Sequence, residues 1–140
     1  MSALLRLAVL VLLLLAPTSA SAKIVAHVDI SQQRLHLYVN GAKRGSWAVS
    51  TARRGYRTPI GSYRPYWLNR HHRSSIYQGA PMPYSVFFRG GYAIHGTDAI
   101  KSLGRPASHG CIRLHPANAA RLFNLIRKHG MANTRIRITP

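Results

Sequence analysis

Hydrophobic and polar positions change rhythm several times along this chain. Leu7 to Ala16 is an unbroken apolar run behind Arg6, and Ala20-Ser21-Ala22 places small residues just before Lys23. Such a run is about half as long as a bilayer span requires. The pattern predicts a secretory signal peptide over 1–22, cleaved near Lys23, and a mature domain over 23–140 with no transmembrane anchor after cleavage. From Lys23 onward the alternation has period two. Lys23 to Asp29 and Arg34 to Val39 read as strands joined by Ser31-Gln32-Gln33, and after the turn dipeptide Asn40-Gly41 a third strand is predicted over Ser46 to Thr51. Tyr63 to Leu68 reads as an edge or interrupted strand because it contains Pro65. Asn69 to Pro83 reads as a mobile basic loop carrying His71-His72-Arg73. Tyr84 to Phe88 and Tyr92 to His95 flank Arg89-Gly90-Gly91 as a hairpin, and Thr134 to Thr139 closes the chain as a strand.

One segment switches to helical spacing. Leu122, Phe123, Leu125 and Ile126 form an apolar stripe after Pro116, which suits a first turn; Arg127-Lys128-His129 suits the C-terminus, and Gly130 ends it. The pattern therefore predicts a mainly β domain with one helix packed on the sheet. At 140 residues there is room for one compact domain beyond the leader.

Composition narrows the chemistry. Twenty lysines and arginines face two acids, Asp29 and Asp98, for a formal charge of +18. Such a balance usually points to nucleic acid. Export instead places the protein among anionic envelope polymers, so no nucleic-acid partner is expected. Glycoside hydrolysis would need the two aspartates to converge across the scissile bond. The absence of glutamate excludes His-Glu-x-x-His zinc peptidases, and neither Ser-x-x-Lys nor Gly-x-Ser-x-Gly occurs. Thiol chemistry remains, on the single cysteine, Cys111. A lone cysteine in an exported protein is a reactive thiol, an intermolecular pairing partner or a packing residue.

Cys111 follows Ser108-His109-Gly110 and precedes the helix, where free backbone N–H groups suit an oxyanion hole. An imidazole commonly promotes a thiolate by ion pairing and by accepting its proton. His95 and His109 both qualify. A third group must orient the base, and the Gly96 carbonyl is a more economical choice than either aspartate, with Gly96 allowing a tight turn. Arg113 and Arg105 are candidates for holding a substrate carboxylate. Metal binding by His95, His109 and Cys111, with His71 or His72, is the competing use. The usual ligand spacings are missing, and neither a metal nor a cofactor is expected.

His95-Gly96, a gap of eleven residues, and then Ser108-His109-Gly110-Cys111-Ile112-Arg113-Leu114 resembles the signature of the L,D-transpeptidase catalytic domain, also called the YkuD domain. The resemblance extends through Val28-Asp29-Ile30-Ser31 with Gln33-Arg34-Leu35, through Val49-Ser50-Thr51, and through Thr58-Pro59-Ile60-Gly61-Ser62-Tyr63. Ala52 and Asn118 depart from it, standing where the family often has glycine and aspartate. The resemblance implies a β-sandwich with one helix after the cysteine motif, and a periplasmic or cell-wall enzyme acting on peptidoglycan stem peptides. Cys111 would be the nucleophile that releases D-alanine, His95 the base and proton donor, and Gly96 the residue whose carbonyl orients it. His109 would position the site, the Gly110 and Cys111 N–H groups would form the oxyanion hole, and Ser108 and Arg113 would contact substrate. It also implies acylation of Cys111 by carbapenems. Two rivals differ in outcome: trimming of stem peptides by carboxypeptidase or endopeptidase action, and a non-catalytic basic module that binds the wall.

Overall fold

The computed structural model describes residues 22–140, and the predicted signal peptide lies outside the described residues except for Ala22. Nine strands and one α-helix follow one another as β1 (Ile24–Asp29), β2 (Arg34–Val39), β3 (Ala42–Ser50), β4 (Gly61–Tyr63), β5 (Trp67–Arg73), β6 (Pro81–Arg89), β7 (Tyr92–Gly96), β8 (Ile112–Leu114), α1 (Pro116–His129) and β9 (Thr134–Thr139). The strands hydrogen-bond in the order β4-β9-β1-β2-β3-β8-β7-β6-β5. This ladder folds over itself as a sandwich: Tyr63, at one end, packs against Phe88 near the other, with ring centroids 5.3 Å apart.

Alternation explains the first layer. Ile24, Ala26 and Val28 of β1 and Leu35 and Leu37 of β2 are fully buried, as are Ile136 and Ile138 of β9, while their neighbours His27, His36, Arg135 and Arg137 face outward. At the β2–β3 turn Asn40 and Gly41 both take positive φ, 49° and 80°, the geometry this dipeptide favours in a two-residue hairpin. Gln33 ties the β1–β2 turn to the end of β3, donating to Thr51 Oγ1 at 2.7 Å and accepting from Thr51 N–H at 3.0 Å.

In the second layer β7 pairs parallel with β8 and antiparallel with β6, and β3 bridges the layers by pairing with both β2 and β8. Helix α1 covers the inner face of β6 and β7 with Leu122, Phe123 and Ile126, all buried. Each such side chain contributes about 1.5–3 kcal/mol on burial. His115 caps the helix by accepting the Ala117 N–H at 3.1 Å, and Pro116 follows at the first helical position.

Two expectations need correction. The segment from Asn69 to Pro83 is not all loop: β5 runs to Arg73 and β6 starts at Pro81, leaving only Ser74 to Ala80 as connection. Its polar sequence hid it because β5 is the last strand of the ladder, with little apolar contact to impose alternation. Pro81 and Pro83 fit because this half of β6 pairs only with β5, so its other side needs no donor. The second correction is β8, which separates Cys111 from α1, so the helix N-terminus does not adjoin the thiol.

Candidate active site

The parallel register of β7 and β8 sets Ile94 beside Ile112, His95 beside Arg113 and Gly96 beside Leu114. Because neighbours along a strand face opposite ways, Ile94, Ile112 and Leu114 enter the core under α1. Ala93, His95, Cys111 and Arg113 share the other face. There His95, Cys111 and Arg113 line a cavity of about 720 Å³ together with Trp67, Phe87 and residues of the Ser74–Ala80 connection, while Ala93 is buried beneath it.

His95 is only 6% exposed, and its Nδ1 lies 2.7 Å from the Gly96 carbonyl oxygen. A carbonyl can only accept, so Nδ1 carries the hydrogen and the neutral ring keeps a lone pair on Nε2. Burial lowers the His95 pKa to about 4, with smaller contributions from the Arg113 and His72 charges, against the opposing effect of the Gly96 hydrogen bond. The ring is therefore a neutral base at physiological pH. Gly96 serves through closeness rather than through a tight turn. Its φ is not positive, but a Cβ there would sit 3.1 Å from Pro83 Cγ and 3.2 Å from Pro116 Cα.

Cys111 is half-buried against Met82, Phe87 and Ala93, and its Sγ lies 3.7 Å from the Gly91 carbonyl oxygen. Burial pushes its pKa up, opposed by a backbone hydrogen bond from Ala93 and by the Arg113 charge. The thiol and the imidazole are thus each shifted toward the uncharged form, which favours proton acceptance by the ring over a resting ion pair, the two roles the sequence left open.

The loop before Cys111 is held internally. Ser108, 1% exposed, accepts the Gly110 N–H at 3.0 Å and donates to the Cys111 carbonyl at 2.6 Å. Gly110 has φ 142°, and a Cβ on it would fall 2.6 Å from Tyr92 Cε1 and 2.9 Å from the Arg57 carbonyl oxygen, so no larger residue fits. Thr58 Oγ1 donates to the Gly110 carbonyl at 2.9 Å. His109 stacks on Tyr77 (4.2 Å, 12°), meets Tyr56 edge-on and lies 3.0 Å through Nε2 from Arg53 Nη2. Partial burial first, then the Arg53 and Arg113 charges, lower its pKa.

The family model described as the L,D-transpeptidase catalytic domain matches residues 23–138. The chain belongs to this family. Among solved structures, an L,D-transpeptidase from Mycobacterium tuberculosis is 23% identical with a TM-score of 0.76, covering 85% of this chain and 58% of its own. One from Stackebrandtia nassauensis is 24% identical, with a TM-score of 0.74 and coverage of 86% and 57%. One from Xylanimonas cellulosilytica is 28% identical, with a TM-score of 0.68 and coverage of 86% and 62%. The chain thus spans less than two thirds of each of these neighbours. No curated protein sequence matches it.

On this L,D-transpeptidase fold, His95, Ser108, His109, Cys111 and Arg113 all border one cavity. Arg105, the other arginine considered for a carboxylate, is exposed and outside the lining. His72 borders the cavity, edge-on to Trp67 and Phe87, while His71 is exposed and outside the lining. Among the described residues no three His, Cys, Asp or Glu side chains converge as metal ligands.

Sequence reasoning missed the partners of His109, since Arg53, Tyr56 and Tyr77 come from distant segments with no common spacing. It also missed Thr58, for which the residue pair Thr58-Pro59 was a signal: a hydroxyl fixed at the entry to a rigid turn.

Proposed function

We propose that this chain is a peptidoglycan L,D-transpeptidase that works by thiol acyl transfer. The observation that carries the reading is the His95 ring, buried, neutral and fixed by the Gly96 carbonyl in the tautomer of a base, on the strand that pairs with β8, which begins at the residue after the chain's one cysteine. In the proposed reaction Cys111 Sγ attacks the carbonyl between the diamino acid and the terminal D-alanine of a tetrapeptide stem, while His95 Nε2 takes the thiol proton. Because the resting thiol is protonated, proton transfer accompanies attack. The C–N bond breaks as His95 returns the proton to the departing D-alanine amine. An amine then attacks the thioester, His95 again takes a proton, and Cys111 leaves as the thiol, completing a cross-link.

His109, held by Tyr77 and Arg53, is the positioning histidine, and Arg113 offers a cation for a substrate carboxylate beside the reacting sulfur. The oxyanion would be met by the Cys111 N–H and by the Gly110 N–H, which must exchange its Ser108 hydroxyl for the substrate oxygen. A related L,D-transpeptidase has been solved in complex with imipenem, and we expect a carbapenem to add its mass at Cys111.

The reading places the enzyme in the periplasm or cell wall, delivered by the leader over 1–22, with stem peptides as substrate. Among the described residues no helix is long and apolar enough to cross a membrane. Attraction to anionic wall polymers would come from the outer face of β9, where Arg135 and Arg137 face outward beside β1. Pull-down on isolated cell wall tests that attraction: rising salt should release the protein, and salt-insensitive binding would exclude an electrostatic cause. Transfer is tested by adding an amine acceptor to the stem. A cross-linked dimer supports it, and tripeptide alone would favour the trimming enzyme.

A further inference from the structure

Only two side chains in the whole chain carry a carboxylate, against twenty lysines and arginines. Asp29 serves local structure: it accepts from Ser31 Oγ at 2.6 Å and from Gln32 N–H at 3.1 Å, closing the β1–β2 turn away from the cavity. Asp98 is different. It lies two residues after Gly96, is exposed, and lines the same cavity as His95, Cys111 and Arg113.

The fold makes no use of this carboxylate. The short 3-10 helix that follows, Ile100–Ser102, has Ala99 at its N-cap and no side-chain cap. The turn entering it is held by Thr97, whose Oγ1 accepts the Ala99 N–H at 3.1 Å. The Asp98 backbone carbonyl accepts the Ile100 N–H at 2.9 Å, but among the described residues its carboxylate accepts no hydrogen bond and joins no ion pair, although arginines and lysines outnumber acids tenfold. An aspartate with neither capping nor pairing work, set at the mouth of a site, is free to meet a ligand. In this cavity it is also the only acid, and exposed charges beyond about 8 Å are screened at physiological salt. A cationic group entering here therefore has Asp98 alone to offset the surrounding positive charge.

We propose that Asp98 reads the side-chain ammonium of the diamino acid in the donor stem. The inference rests on the transpeptidase reading above and deepens it. The cavity then presents opposite charges to opposite groups of one ligand: Arg113, next to His95 in register, to a carboxylate at the reacting end, and Asp98, at the rim, to the ammonium at the far end of the side chain. The donor is assigned rather than the acceptor for a chemical reason. An acceptor amine must lose its proton before it can attack, and a neighbouring carboxylate would hold it as inert ammonium. The donor's side-chain amine forms and breaks no bond, so it can stay charged throughout. Asp98 is thus a specificity residue for the acylation half of the reaction.

The test compares two synthetic tetrapeptide stems, one with a free side-chain amine and one with that amine acetylated, through kcat/KM for D-alanine release without added acceptor. Wild type should favour the free amine by about two- to fivefold, the scale of one exposed ion pair. In Asp98→Asn the ratio should collapse toward one, in Asp98→Glu it should be largely restored, and high salt should shrink it in wild type. Equal use of both stems by an active wild type, or an unchanged ratio in Asp98→Asn, would overturn the assignment while leaving the transpeptidase reading intact. Binding of the same stems to Cys111→Ala reads the preference without chemistry. An ammonium preference there that vanishes on adding Asp98→Asn supports the assignment even if wild type releases no D-alanine, a result that would sink the transpeptidase reading instead. No preference there overturns the assignment.

Discussion

The two faces of β7 and β8 share one backbone and carry opposite kinds of residue. On the inner face Ile94, Ile112 and Leu114 are at most 1% exposed and lie beneath Leu122, Phe123 and Ile126 of α1. On the outer face His95, Cys111 and Arg113 border an open cavity. Since each of these core side chains is next in sequence to a cavity-facing one, the packing that fixes strand register also sets His95, Cys111 and Arg113 on one side. Stability and chemistry are thereby assigned to alternate positions and should be separable by mutation.

The largest separation is expected at two residues three positions apart. Cys111→Ala should lower D-alanine release by at least about 10⁴-fold with the unfolding midpoint nearly unchanged. Leu114→Ala should do the reverse, losing about 2–5 kcal/mol in a denaturant titration, with the folded fraction still acylated at Cys111. Loss of activity without loss of stability in Leu114→Ala would contradict the division. His95→Gln comes next: about 10²- to 10⁴-fold lower kcat is expected, because glutamine keeps a hydrogen-bonding group but cannot take a proton.

How much of this division was legible in the sequence depends on what each segment contacts. β1, β2 and β9 announced themselves through Ile24, Ala26 and Val28, Leu35 and Leu37, and Ile136 and Ile138, because one of their faces meets the core and the other meets solvent. Helix α1 was marked at both ends by Pro116 and Gly130. The strand β5 was not legible, since it ends the ladder and has little core contact to write alternation into Asn69 to Arg73. The site divides similarly. Cys111 stood out by chemistry as the only thiol, whereas His95 and His109 were equal candidates for its base until the family resemblance distinguished them. The closure of Ser108 onto Gly110 and Cys111, and the gathering of Arg53, Tyr56 and Tyr77 around His109, depend on tertiary placement that no spacing records.

A pH titration sharpens the comparison, because His95 is the most deeply set titratable residue of the outer face. Its folded pKa is about 4 against an ordinary 6.5. Between those values the unfolded chain binds the proton and the folded one does not, so stability should fall as pH drops from 6.5 to 4, by roughly 3 kcal/mol. His27 and His36, also lowered chiefly by burial, add in the same direction. His95→Gln should flatten this slope in denaturant titrations; an unchanged slope would contradict the buried neutral ring. Within the folded protein, acylation should decline only as pH approaches 4.

The smallest effect is expected at the rim. Tyr77→Ala removes the ring stacked on His109, worth about 0.5–1.5 kcal/mol, and opens the imidazole to water. Its pKa should move up toward the ordinary value, which an NMR titration of the ring would follow, with a modest loss in kcat/KM. No movement would separate Tyr77 from the positioning of His109.

The central claim is that the outer face performs acyl transfer through Cys111. Intact-mass and product analysis of wild type and Cys111→Ala with disaccharide-tetrapeptide stems tests it most directly. The account predicts D-alanine release by wild type, with a transient adduct on Cys111 of the stem minus D-alanine, and neither product nor adduct in the variant. Continued D-alanine release by folded Cys111→Ala, or none by wild type on stems of either common diamino acid, would contradict it.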